Sequence, residues 1–206
     1  MSMSQKILVC IVLILISILN TYAQGVLIRY DDKNHLKWSD FHGNVDSTSS
    51  FSAYSQVYLG YELKPFEDGY ILSTDAFFSS DSSWVRHKTR HGLEHENYHF
   101  KLTEIVRRRM LKELFSIQFY VTNIHEIVDD RLDNYVLLHN QDQDYYDSET
   151  DFGRNRKRQK EIENTIDSLL VELNEYRFQY LVLFVSNDVR VKERKLTNDI
   201  SALTSD

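Results

Sequence analysis

The hydrophobic pattern of this chain changes twice and divides it into three parts. Residues 7–19 are almost uninterruptedly apolar and follow the single cation Lys6. A run of that length matches a signal-peptide core and falls short of the ~20 residues a membrane-spanning helix needs. Thr21-Tyr22-Ala23 then places small residues at the outer and last cleavage positions, so residues 1–23 read as a signal peptide cut after Ala23. An uncleaved N-terminal anchor is the competing reading. Cys10 sits inside the apolar run, without the small residues that precede a lipid-attachment cysteine.

The next part has strand character. Val26-Leu27-Ile28 and residues 35–41 are short apolar stretches around the turn signal Asp31-Asp32-Lys33-Asn34. Residues 51–63 alternate aromatic and polar side chains, as a half-buried strand does. Pro65 and Asp68-Gly69 predict a turn, and residues 70–78 the following strand. Asp81-Ser82-Ser83 reads as a helix start, because these side chains accept hydrogen bonds from free backbone donors.

From Trp84 the period becomes helical. His95, His99, Leu102, Val106 and Met110 form one stripe whose C-terminal part is a core face and whose N-terminal part carries two imidazoles. A second helix is predicted over residues 121–140, a polar, acidic and aromatic loop over 141–153, and a third helix over 155–180. The last stretch, 181–206, starts apolar and turns charged, as a final strand and a loose tail would. The order of elements predicts an α+β domain over residues 24–206, a small, mostly antiparallel sheet followed by a helical half.

Composition narrows the picture. The 206 residues carry a net charge of −7, and removing 1–23 with Lys6 leaves 183 residues at about −8. That surface does not favour nucleic acid or an anionic membrane. The sole cysteine leaves with the signal, so an exported product has no disulfide and depends on packing, with a bound metal as the remaining option. The basic cluster at residues 154–160 reads as a solvated helix face.

The chemistry lies in His95-Glu96-Asn97-Tyr98-His99. On a helix, positions i and i+4 share a face. Two imidazoles there can hold one zinc ion, and Glu96 between them can reach a water bound to it and act as general base. Catalytic zinc takes three protein ligands and water, so one ligand must come from elsewhere. His87 and His91 continue the i+4 spacing, but one ion cannot use four histidines along one helix, and surface or supporting roles suit them. His125-Glu126-Ile127-Val128-Asp129 has no partner segment and reads as coincidence. Trp38 and Trp84 read as core residues, and Asp40 as a turn or cap residue or a supporting partner of the site.

Three segments together resemble a bacterial family, the domain of unknown function 922, predicted secreted zinc-dependent proteases. Residues 35–43, His-Leu-Lys-Trp-Ser-Asp-Phe-His-Gly, are similar to its L-x-W-x-D-F-x-G opening. Residues 93–100 are similar to its H-E-x-x-H-F helix, with Trp84 shortly upstream. Residues 146–153, Tyr-Asp-Ser-Glu-Thr-Asp-Phe-Gly, followed by Gln159, look like its Y-D-x-x-T-x-H-G…Q segment. The resemblance implies a zincin-like metal-binding helix and an exported, periplasmic or secreted zinc metallopeptidase acting on peptide or protein substrates. One position departs. Phe152 stands where the family pattern has a histidine, its natural third ligand, and phenylalanine cannot coordinate zinc. Asp151 is the first candidate to replace it, before Glu149, Asp147 and the more distant His139. Tyr146 is a candidate donor to a developing oxyanion, although as one of 13 tyrosines it reads first as a packing residue. The departure leaves open a degenerate member acting as an exported binding or envelope-associated module, or a domain in which zinc is purely structural.

Overall fold

The computed structural model describes residues 25–200 apart from Asp68, Phe119 and residues 186–190. The predicted signal segment and residues 201–206 of the predicted tail lie outside the described residues. Among the described residues the architecture is α+β: a five-stranded antiparallel sheet, a two-stranded ribbon and three helices.

The strands are β1 (Leu27–Arg29), β2 (Ala53–Tyr54), β3 (Val57–Phe66), β4 (Gly69–Ser79), β5 (Trp84–Val85), β6 (Tyr180–Val185) and β7 (Val191–Thr197), and the helices are α1 (Arg90–Ser116), α2 (Ile124–Thr150) and α3 (Arg156–Glu172). β4 is the organising strand. It pairs with β3 along its whole length, while β1 and β6 pair with its two ends and β7 extends the sheet from β6. Leu72, Thr74, Ala76 and Phe78 alternate along it and are buried, which is the period-two pattern of a core-facing strand.

Helix α1 fills the space between the sheet and the other two helices, touching β3 and β4 as well as α2 and α3. Thr89 caps it, accepting the Gly92 N–H at 2.9 Å. Its buried side chains enter all three apolar clusters. Met110, Leu111 and Leu114 meet the sheet and the start of α2; Tyr98, Leu102 and Ile105 meet α3 and Tyr146; Phe100 meets Leu36, Phe41 and Phe78. Among the described residues no helix is long and apolar enough to cross a membrane.

Charged groups are also buried on α1. Glu104 accepts two hydrogen bonds from Arg107 and one from Arg108, each at 2.7 Å. Arg107 continues to the Phe178 carbonyl, and Arg108 to the Leu170 carbonyl and both carboxylate oxygens of Asp32. This network ties the helix to α3, the approach to β6 and the N-terminal turn. Glu104→Ala would leave two guanidinium groups facing each other without their shared anion, so it is expected to cost about 3–5 kcal/mol in a denaturant unfolding titration.

Several predicted boundaries move, each for a local reason. Residues 35–41 form a short 3-10 turn at Trp38–Asp40 instead of a strand, because Asp40 accepts the Lys37 N–H at 2.7 Å and bends the chain. The predicted strand 51–63 is split. β2 leaves the main sheet to pair with β5, and Gln56 donates its N–H to Ser83 Oγ at the break. Pro65 belongs to β3, which pairs only with β4 among the described residues, so its missing N–H costs nothing to the ladder. Asp81 and Ser83 hold a turn, not a helix start: Asp81 accepts the Val26 N–H, Ser83 bonds Ser79, and Trp84 begins β5. The predicted third helix ends early, at Glu172, before a 3-10 turn at Asn174–Tyr176. The final strand is present as β6, and the charged stretch beyond it pairs as β7. The largest difference is at 141–153. Residues 141–150 are the last turns of α2, and only 151–153 form a corner.

Candidate metal centre

Helices α1 and α2 run antiparallel along a ladder of polar side chains spaced four residues apart. His95, His99 and Thr103 face Asp147, Gln143 and His139. Each member is one helical turn from the next, so three successive turns of each helix meet with matching side chains.

At one end of the ladder three donor atoms converge. His95 Nε2 and His99 Nε2 each lie 3.0 Å from Asp147 Oδ1 and 3.1 Å from each other. Ligands ~2.0–2.1 Å from a tetrahedral zinc stand ~3.3 Å apart, so the set is close to the spacing that one small cation requires. Among the described residues, these three form the group that could hold a metal ion. The donor set, two imidazoles and one carboxylate, is of the kind that binds catalytic zinc.

The carboxylate that reaches the imidazoles is Asp147, which corrects the expectation of Asp151. Asp151 is the cap of α2 in the left-handed conformation, at φ 49°, and its exposed side chain pairs with Arg154 at 3.3 Å. The chain has left the helix by that residue, so it no longer shares the face of Asp147. Glu149 is turned outward to Arg158 at 2.6 Å. His139 is buried further along the ladder, bonded to Thr103. Phe152 stacks on Phe51 at 4.9 Å and leaves the donor triad complete without a residue at its position.

The neighbours of the triad orient it. The Nδ1–H of His99 donates to Gln143 Oε1, which presents Nε2 toward Asp147, and the Gln143 amide donates to the His99 carbonyl at 3.0 Å. Tyr146 lies flat against His95 at 4.7 Å between ring centroids and edge-on to His99 at 5.2 Å. It is fully buried, and burial pushes its phenol far above the usual range. Tyr146 therefore backs the imidazoles from the core, in the packing role, and does not face a substrate as an oxyanion donor. Asn97, inside the motif, bonds the Leu36 backbone through both amide atoms, and Tyr98 donates to Asp167 at 2.8 Å. The variable positions of the motif thus lock α1 to the N-terminal segment and to α3.

Glu96 lines a cleft of about 710 Å³ beside the triad, and its carboxylate makes no hydrogen bond or ion pair among the described residues. Trp38, Phe51, Tyr54 and Phe152 give the cleft aromatic walls. Trp84 is core as expected, whereas Trp38 is half-buried on the cleft wall and donates to the Thr89 carbonyl. His87 precedes α1 and is exposed at the cleft, and His91 donates to the Gly153 carbonyl at 2.6 Å. His125 packs edge-on against Tyr70, away from the triad. The basic cluster is solvated, with Arg154, Arg156, Lys157 and Lys160 exposed. A second cavity, of about 470 Å³, sits over the Glu104 network, where Arg29 pairs with Asp75 and Arg108 with Asp32.

Without a cation the cluster holds a proton. Burial alone would lower the His99 pKa, but the hydrogen bond and charge of Asp147 outweigh it and push it up to about 9. Burial works against ionised Asp147 too, yet its bonds to both imidazoles hold its pKa well below the usual carboxylate range. The pKa of His95 is lowered by burial, against the pull of Asp147. A metal must take the Nε2 lone pair that carries the His99 proton. Binding at pH 7, below about 9, should therefore release about one proton, and affinity should rise roughly tenfold per pH unit through neutrality and level off above about 9. Calorimetric titration of zinc in two buffers of different ionisation enthalpy measures this directly.

Comparison with protein-family models, with curated proteins and with solved structures finds no match for this chain.

Proposed function

We propose that this chain is an exported zinc-dependent peptidase. The observation that carries the reading is the convergence of His95, His99 and Asp147 within about 3 Å, with Glu96 on the same helix opening into a cleft. Three protein donors beside an open cleft suit a catalytic zinc, whereas a structural zinc is closed by a fourth protein ligand. The bound ion supplies Lewis acidity and a water pKa near ~7. Glu96 takes the proton of the attacking water and returns it to the leaving amine, and the absence of a competing ion pair among the described residues leaves its carboxylate available for both transfers. A cleft of this size with mixed polar and aromatic walls accommodates a peptide segment, and Phe51 and Phe152 offer a surface for an apolar side chain. The likeness of residues 35–43, 93–100 and 146–153 to predicted secreted zinc-dependent proteases supports the same assignment. The apolar segment at 7–19 supports export to the periplasm or the medium.

The test is reconstitution. Purified protein should carry one zinc per chain, cleave casein or a mixed peptide library, lose that activity to a chelator and regain it on adding zinc. Bound zinc with no cleavage of any peptide would replace this reading with a non-catalytic module on the same scaffold.

A further inference from the structure

Among the described residues, His99 has a protein partner for its outward nitrogen, and His95 does not. The Nδ1 atom of His95 is buried and unpartnered among the described residues, and once a cation takes the Nε2 lone pair beside Asp147 the neutral ring must carry its proton on Nδ1. A ligand imidazole almost always donates that second N–H to an acceptor. An acceptor with the same defect lies close by. Gln159, on α3, is 1% exposed; its amide nitrogen donates to Glu163 at 2.7 Å, and its Oε1 is buried without a partner.

Both orphan atoms border one spot. A Cβ on Gly153 would come within 3.5 Å of His95 Nδ1 and 3.6 Å of Gln159 Oε1. Gly153 takes φ 80°, in a corner where Asp151 and Phe152 are also left-handed, and His91 fixes its carbonyl. The corner thus keeps a side-chain-free space between a buried donor and a buried acceptor. The Tyr146 hydroxyl is a third buried, unpartnered atom of this region, with its ring flat on His95. Buried waters typically settle where two to four such groups need a partner.

We propose that Gln159 is a positioning residue for the metal centre, accepting the Nδ1 proton of His95 through one water seated over Gly153. It holds His95 with Nε2 toward the ion, as Gln143 holds His99 directly. The inference rests on the metal-binding reading above.

Cobalt-substituted full-length protein tests it, because the Nδ1 protons of bound imidazoles give shifted NMR signals whose exchange with water is measurable. Wild type should show two slowly exchanging signals. Gln159→Met should lose one and bind zinc about 10–100-fold more weakly in competition with a chromophoric chelator. The exchanged pair Q159E/E163Q keeps an acceptor at 159, a donor at 163 and the same net charge, and it should restore both the signal and the affinity. A single protected signal in wild type, or a Gln159→Met protein with both signals and unchanged affinity, overturns the assignment. The wild-type spectrum decides even if the variant does not fold. A wild-type protein that takes up no metal overturns the metal reading itself, which is a different outcome.

Discussion

Asp147→Ala is expected to abolish stable zinc binding, whereas Asp151→Ala should leave it unchanged. The two residues lie one helical turn apart in sequence, but only Asp147 places an oxygen 3.0 Å from both imidazoles. Removing it leaves two ligands on one helix and takes away the only anionic donor of the triad. The loss should exceed the 10–100-fold typical of residues that merely support a ligand. Asp151 holds Arg154 at the exposed end of α2, an ion pair worth at most about 1 kcal/mol. Zinc competition assays on the two variants separate the assignments cleanly. Equal losses would refute the donor triad, and a selective loss in Asp151→Ala would restore the family-like position.

The second large effect is catalytic. Glu96→Gln should keep one zinc per chain and reduce peptide hydrolysis by about 10²–10⁴-fold, the usual contribution of a positioned general base. Glutamine keeps the shape and polarity of a side chain that lines the cleft and bonds no protein group among the described residues, so the fold has no reason to change. The loss should fall on kcat more than on KM, since the proton transfer belongs to the transition state. Hydrolysis unaffected by Glu96→Gln would remove this residue from the mechanism while leaving the metal site standing.

The parts of the site that were readable in the sequence are the ones set by short-range spacing. His95, Glu96 and His99 needed only a helix to meet, and Thr89 with the long stripe through Met110 provides that helix. The choice among Asp147, Glu149, Asp151 and His139 could not be made the same way. All four lie in one polar stretch, and their separation depends on where the helix stops. Segment 141–150 looked like a loop because it is acidic and lacks an apolar face. It is helical because its polar residues are bonded across to α1, and the aromatic ring of Tyr146 is buried against both histidines. The repeat His139, Gln143, Asp147 opposite His95, His99, Thr103 was visible as paired i, i+4, i+8 spacings, and is the signal that could have found Gln143.

Alternating and helical periods by themselves determined an α+β chain whose N-terminal half supplies strands and whose middle supplies a helix bearing two imidazoles and a carboxylate, because those patterns act over a few residues. Tertiary structure decided that α2 lies antiparallel to that helix in one register, that Asp147 closes the triad, and that Phe152 forms a wall of the cleft. Those outcomes depend on contacts between residues about fifty to a hundred positions apart, where burial and hydrogen-bond satisfaction select one pairing among several carboxylates that local sequence leaves equivalent.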